Sequence, residues 1–129
     1  MTVELTYLLF SVVLTLVLAV VAVTGAMLQV GLPTLAGNRE NMPEITGWAG
    51  RAARAHRNML ENLVLFAIAV IVAKLLNVSN AMTTLGAMLF FWGRAAHAVI
   101  YIIGIPWIRT GAWAVSIAGL LMILAQLAG

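Results

Sequence analysis

From Leu5 to Val30 the chain carries no charged residue. A helix of that length is about 39 Å long, enough to cross the roughly 30 Å hydrocarbon core of a bilayer with some tilt. The run contains Val12, Val13, Val17, Val20, Val21 and Val23, whose branched side chains would weaken a helix in water. In lipid the backbone must satisfy its own hydrogen bonds, which leaves only a helix or a closed barrel. Barrel strands are segments of about ten residues with alternating polarity, and this run neither alternates nor breaks. A membrane-spanning helix is the expectation. With Glu4 as its only early charge and no basic segment beside it, the run lacks the form of a cleaved secretory signal.

Three further apolar stretches follow. Spans are expected at about 5–30, 51–76, 80–104 and 107–127, with a long polar loop over about 31–50 and two short connections. The loop holds Gly, Pro and Asn in a cluster and ends near Trp48, an aromatic suited to the headgroup level. Asn and Ser in the stretch 77–80 can cap the third helix, and Ile105-Pro106 interrupts the chain before the fourth. Short connections force consecutive helices to lie antiparallel and side by side. The chain is therefore expected to form one all-α domain over residues 1–129, an integral membrane four-helix bundle.

Composition agrees: only 9% of residues are charged, against roughly 25% in a soluble domain. The absence of cysteine excludes disulfides, thiolate nucleophiles and cysteine metal sites. A formal charge of +3 is too sparse and dispersed for a nucleic-acid surface. Arg39, Arg51, Arg54, Arg57 and Arg109 fall at one end of the expected spans, and Lys74 at the other. The positive-inside rule then makes the long loop cytoplasmic and puts both termini outside.

The stretch Arg51–Asn62, RAARAHRNMLEN, places strongly polar residues at the start of a membrane span. Arg51, Arg54, Asn58, Glu61 and Asn62 share a helix face about 100° wide, while His56 and Arg57 point elsewhere. Arg94, His97 and Tyr101 form a second stripe, and Arg109, Trp113 and Ser116 a third. Glu61 and Arg94 each lie about 15 Å in from the loop end of their helices. A lone carboxylate and a lone guanidinium at matching depth are expected to pair, because leaving either alone is costly. Arg51, Arg54, Asn58, His97, Tyr101 and Arg109 would line a cavity above that pair. Such a cavity keeps an excess of positive charge and suits an anion with several carboxylates, or a phosphate. No glycine-rich phosphate loop is present. The two histidines sit on different helices, so no metal centre is expected.

R-x-x-R-A-H-R-N-x-x-E-N at 51–62, R-x-x-H-x-x-x-Y at 94–101 and G-x-P-x-x-R-T at 104–110 together resemble the MAPEG family. These are the membrane-associated proteins in eicosanoid and glutathione metabolism, including microsomal glutathione transferases and a prostaglandin E synthase. The resemblance covers essentially the whole chain and looks like that of the short bacterial members, which implies the bacterial inner membrane. It implies a homotrimer of four-helix protomers that binds glutathione as co-substrate between subunits, near the cytoplasmic face. By the same resemblance Arg51, Arg54, His56, Asn58 and Glu61 line or support the site from one protomer. Arg94, His97, Tyr101, Arg109, Thr110 and Trp113 contribute from the same or the adjacent one. Thr110 stands where the synthase-like branch has a serine assigned to thiol activation, and Trp113 where that branch has a tyrosine.

The expected activity is a glutathione transferase or peroxidase acting on apolar electrophiles that arrive from lipid. Arg109, with Thr110 and Tyr101 as hydroxyl donors, would stabilise the thiolate. Arg51, Arg54, Asn58, Arg94 and His97 would hold the peptide's carboxylates and amine. The alternative is a membrane protein that binds glutathione or a lipid without chemistry. A channel or transporter is disfavoured, because residues 63–73 and 81–92 are nearly devoid of the polar groups a pathway would need.

Overall fold

Thr2 accepts a hydrogen bond from the Leu5 amide and opens the first helix, α1 (Val3–Val30). Its buried residues are Glu4, Leu8, Ser11, Thr15, Leu18 and Gly25. Steps of three and four keep them on one seam, while Val12, Val13, Leu16, Val17 and Val20 face outwards. Ser11 and Thr15 donate their hydroxyls to the carbonyls of Tyr7 and Ser11, each at 2.8 Å. Small polar residues thus sit in an apolar seam with their donors satisfied.

A computed structural model describes residues 1–128. Among them Gly31, at φ 81°, ends α1. Where the sequence suggested an irregular loop throughout, Pro33 lies in the first turn of a short helix, α2 (Leu32–Ala36). The next long helix, α3 (Gly47–Leu75), starts before the expected position at about 51. Gln29 fastens the intervening segment to α1, donating from Nε2 to the Thr46 carbonyl at 2.7 Å and accepting from the Thr46 amide at 3.0 Å. Asn80 caps α4 (Ala81–Ile103) through a reciprocal arrangement with Thr83. Gly104 ends it in the left-handed region at φ 98°, and Pro106 begins α5 (Pro106–Leu127).

The long helices α1, α3, α4 and α5 are each long and apolar enough to cross a membrane, and no strand occurs among the described residues. The tightest seam is between α4 and α5. A Cβ on either Gly86 or Gly119 would run into the other's carbonyl oxygen. Only glycines allow the two backbones to approach this closely. Phe66 of α3 stacks on Phe90 of α4 with ring centroids 3.9 Å apart, and Met59, Val70, Ala87 and Ile123 complete the core around them.

Contacts across the chain define two ends of the bundle. Arg51 Nε donates to the Ile102 carbonyl at 2.8 Å, so the start of α3 lies beside the end of α4. The first turn of α1 lies beside the α3–α4 turn, where Ser79 and Thr84 donate their hydroxyls to the Glu4 carboxylate. Asn80 reaches Gln126 near the end of α5. Both described chain ends therefore share one end of the bundle with Lys74, while the arginine-rich segments lie at the other.

Candidate functional site

Arg94 is 1% exposed, on the face of α4 turned towards α3. Its Nη2 donates to Asn58 Oδ1 at 2.6 Å, and its Nε meets the Met59 thioether sulfur at 3.4 Å. Nη1 is buried with no hydrogen-bond partner. The pairing of Arg94 with Glu61 expected from depth alone does not form within the protomer: Glu61 is exposed, and Arg94 turns to Asn58 and Met59 instead. The reason is helical phase. The seam of α3 that faces its neighbours runs through Ala55, Met59, Asn62 and Phe66, and Glu61 lies about 160° around the helix from Met59. Depth matched, but direction did not.

Asn58 is held from two sides. Asn62 Nδ2 donates to its carbonyl at 2.8 Å and to its Oδ1 at 3.3 Å, the same oxygen that accepts from Arg94. With Oδ1 engaged by both, the Asn58 amide nitrogen remains a donor for the open side. Asn62 and Met59 are thus positioning residues that sequence reasoning did not assign to the site. The i, i+4 spacing of the two asparagines is the signal for the first; nothing local signals the second.

The open side is a cleft of about 270 Å³ between α3, α4 and α5, lined by Asn58, His97, Tyr101, Arg109, Thr110 and Trp113. None of these residues is acidic. His97 is 3% exposed and its Nδ1 has no hydrogen-bond partner. Its ring meets Tyr101 edge-on at 5.4 Å. The Arg109 guanidinium carbon lies 4.3 Å from the centre of the same tyrosine ring, a cation–π contact that fixes the arginine without neutralising it. Thr110 Oγ1 makes only a long 3.4 Å bond back to the Pro106 carbonyl. Its hydroxyl can swing to another acceptor at little cost.

A second groove of about 200 Å³ shares Asn58 and Tyr101 with the cleft and adds Arg54, Arg57 and Glu61. Glu61 therefore lines this outer groove, away from Arg94. Three residues from the sequence-derived set line neither space: Arg94, buried behind Asn58, and Arg51 and His56. Arg51 is spent on the Ile102 carbonyl and packs over Gly104, where a Cβ would stand 3.2 Å from its Nε. A cation at a helix C-terminus is well placed electrostatically, which makes Arg51 a clasp between α3 and α4. His56 is half-buried on α3 outside both spaces.

The cleft presents donors and a cation: Arg109, the Asn58 amide and the hydroxyls of Tyr101 and Thr110, with the Arg94 guanidinium buried behind Asn58. Among the described residues no group of three metal-ligating side chains comes together. The fold defines an integral multi-pass membrane protein with a cleft lined by hydrogen-bond donors and a cation at one end of its bundle. A model of the MAPEG family matches residues 4–129, and the chain belongs to that family. Neither a curated protein nor a solved structure matches it. Membership makes it a membrane protein of glutathione-related or eicosanoid metabolism.

Proposed function

We propose that the protein is a glutathione-dependent transferase or peroxidase acting on apolar electrophiles in the membrane. The observation that carries this reading is the cleft lined by the Arg109 guanidinium and no acidic residue, with two buried polar atoms left without partners beside it: His97 Nδ1 in its wall and Arg94 Nη1 behind Asn58. A buried guanidinium with no counter-charge is costly, and an anionic peptide seated in the cleft would remove that cost. Glutathione carries two carboxylates and a thiol, and the donors on α3, α4 and α5 suit it. The same arrangement on neighbouring protomers of a homotrimer would bring Arg54, Arg57 and Glu61 to the rim of a shared site. In this reading the arginine end faces the cytoplasm and both termini lie on the other side, following the positive-inside rule.

The chemistry needs a thiolate, whereas a cysteine thiol ionises at about pH 8.5 in water. Arg109 is placed to stabilise the negative sulfur, and the Thr110 hydroxyl, and alternatively Tyr101, to donate to it. Each unit by which they lower the thiol pKa is worth about 1.36 kcal/mol. In conjugation the thiolate sulfur bonds to the electrophilic carbon and the leaving group departs with the electron pair. With a hydroperoxide the sulfur attacks the terminal oxygen. The O–O bond breaks to give an alcohol and a sulfenic acid, which a second glutathione converts to the disulfide and water.

The test is turnover of glutathione with an aryl halide and with a lipid hydroperoxide, in purified protein beside Arg109→Ala. Loss of one electrostatic donor to a developing or stabilised anion is expected to cost about 2.7–4 kcal/mol, a factor of roughly 100 to 1,000 in turnover. Glutathione affinity should change far less. Wild-type rates equal to the protein-free blank, with binding intact, would leave a glutathione-binding protein without this chemistry.

A further inference from the structure

A roomier space than the cleft lies elsewhere in the protomer. About 490 Å³ lies between α1, the segment from α2 to α3, and the outer side of Arg54 and Arg57. Its charged walls are Arg39, Arg54 and Arg57 against a single carboxylate, Glu44. Its apolar wall includes Val23 and Ala26 of α1. The groove is braced on both sides. Gln29 clamps the segment to α1 through the paired bonds with Thr46. Arg39 Nε donates at 2.6 Å to the carbonyl of the buried Leu35, which ties that guanidinium to the end of α2.

Below the cations, the outer face of α1 offers a strip of exposed apolar side chains: Val23, Val20, Leu16 and Val13, between 55% and 63% exposed. Their steps of three, four and three keep them in one line along the helix. A site of this shape has a cationic head at the end of the span and a hydrocarbon track running into the bilayer. A free anion would use only the head, and an uncharged lipid only the track.

We propose that this groove binds an anionic phospholipid, with its phosphate among Arg39, Arg54 and Arg57 and one acyl chain along Val23, Val20, Leu16 and Val13. Guanidinium forks match phosphate oxygens. A headgroup that adds a quaternary ammonium would bring a fourth cation to the arginines, so phosphatidylglycerol is preferred over phosphatidylcholine. Arg54 and Arg57 also border the outer groove, so the test rests on Arg39 and Glu44, which line neither the cleft nor that groove.

Protein in bilayer discs containing equal amounts of phosphatidylglycerol and phosphatidylcholine would be released into mild detergent, and retained lipid counted by native mass spectrometry. Wild type is expected to retain phosphatidylglycerol preferentially. Arg39→Gln should cut that preference about fivefold, the effect of roughly 1 kcal/mol for one cation near an anionic lipid surface. Glu44→Gln removes the opposing carboxylate and should raise the preference, while Lys74→Gln at the other end of the bundle should leave it unchanged. Equal retention of the two lipids by wild type would overturn the proposal, as would an unchanged preference in Arg39→Gln. Release of the lipid by excess inorganic phosphate would reassign the groove to a free anion, and release by glutathione would reassign it to the cleft.

Discussion

The two ends of the bundle each bury an ionisable side chain that a membrane helix can ill accommodate, and they treat it in opposite ways. Glu4 is 3% exposed, and its carboxylate accepts hydroxyls from Ser79 at 2.9 Å and Thr84 at 2.7 Å. The neighbouring turn is equally well provided: Asn80 accepts the amides of Met82 and Thr83 and donates to Gln126. Arg94 is buried as deeply, yet one of its terminal nitrogens has no partner, and neither has Nδ1 of His97 one turn away. Among the described residues these are the only two buried side-chain polar atoms in that state. Partnered burial fastens helices together; unpartnered burial beside an open cleft marks a place for a ligand.

The sharpest way to break this contrast is to remove each buried group in turn. Arg94→Met keeps length and packing while deleting an uncompensated guanidinium. Glutathione binding should weaken by about 2–5 kcal/mol, roughly 30-fold or more in dissociation constant. The ligand-free protein should melt no lower than wild type, because an apolar replacement for an unpaired buried charge is neutral or stabilising. Equilibrium dialysis and thermal unfolding in the same detergent check both halves. Glu4→Ala should invert the result. It leaves the Ser79 and Thr84 hydroxyls without their acceptor and should cost about 1–3 kcal/mol of stability, read from unfolding in denaturant, with glutathione affinity unchanged. The smallest effect is expected at Thr110→Val, which deletes one hydroxyl donor. Turnover should fall by about 0.5–1.5 kcal/mol, a few-fold to about tenfold, with binding and melting temperature held.

Much of the fold is written in the hydrophobic runs. Charge-free stretches of span length, Asn80 before the third span and Gly104-Ile105-Pro106 after it are local signals, and local signals survive without tertiary information. The α2 turn was not legible, because a Pro-containing stretch of five residues reads equally well as a loop. The cleft was partly legible. Periodicity placed Arg94, His97 and Tyr101 on one face, and the structure brings His97 and Tyr101 together with Asn58, Arg109, Thr110 and Trp113. The expected pairing of Glu61 with Arg94 was misleading because depth along a helix says nothing about which face meets a neighbour. That seam is set by Met59 and Phe66, apolar residues absent from a polar stripe. Glu4 was hidden for a different reason. Its partners are 75 and 80 residues away in the chain, and only the return of the α3–α4 turn to the start of α1 brings them together.

The most direct measurement is a titration of glutathione into the purified protein at neutral pH, following the ultraviolet absorbance of the thiolate alongside bound ligand. Saturable binding with ionisation of the sulfur is expected, and loss of both in Arg94→Met. Undiminished binding in that variant would contradict the assignment of the buried guanidinium to a ligand site.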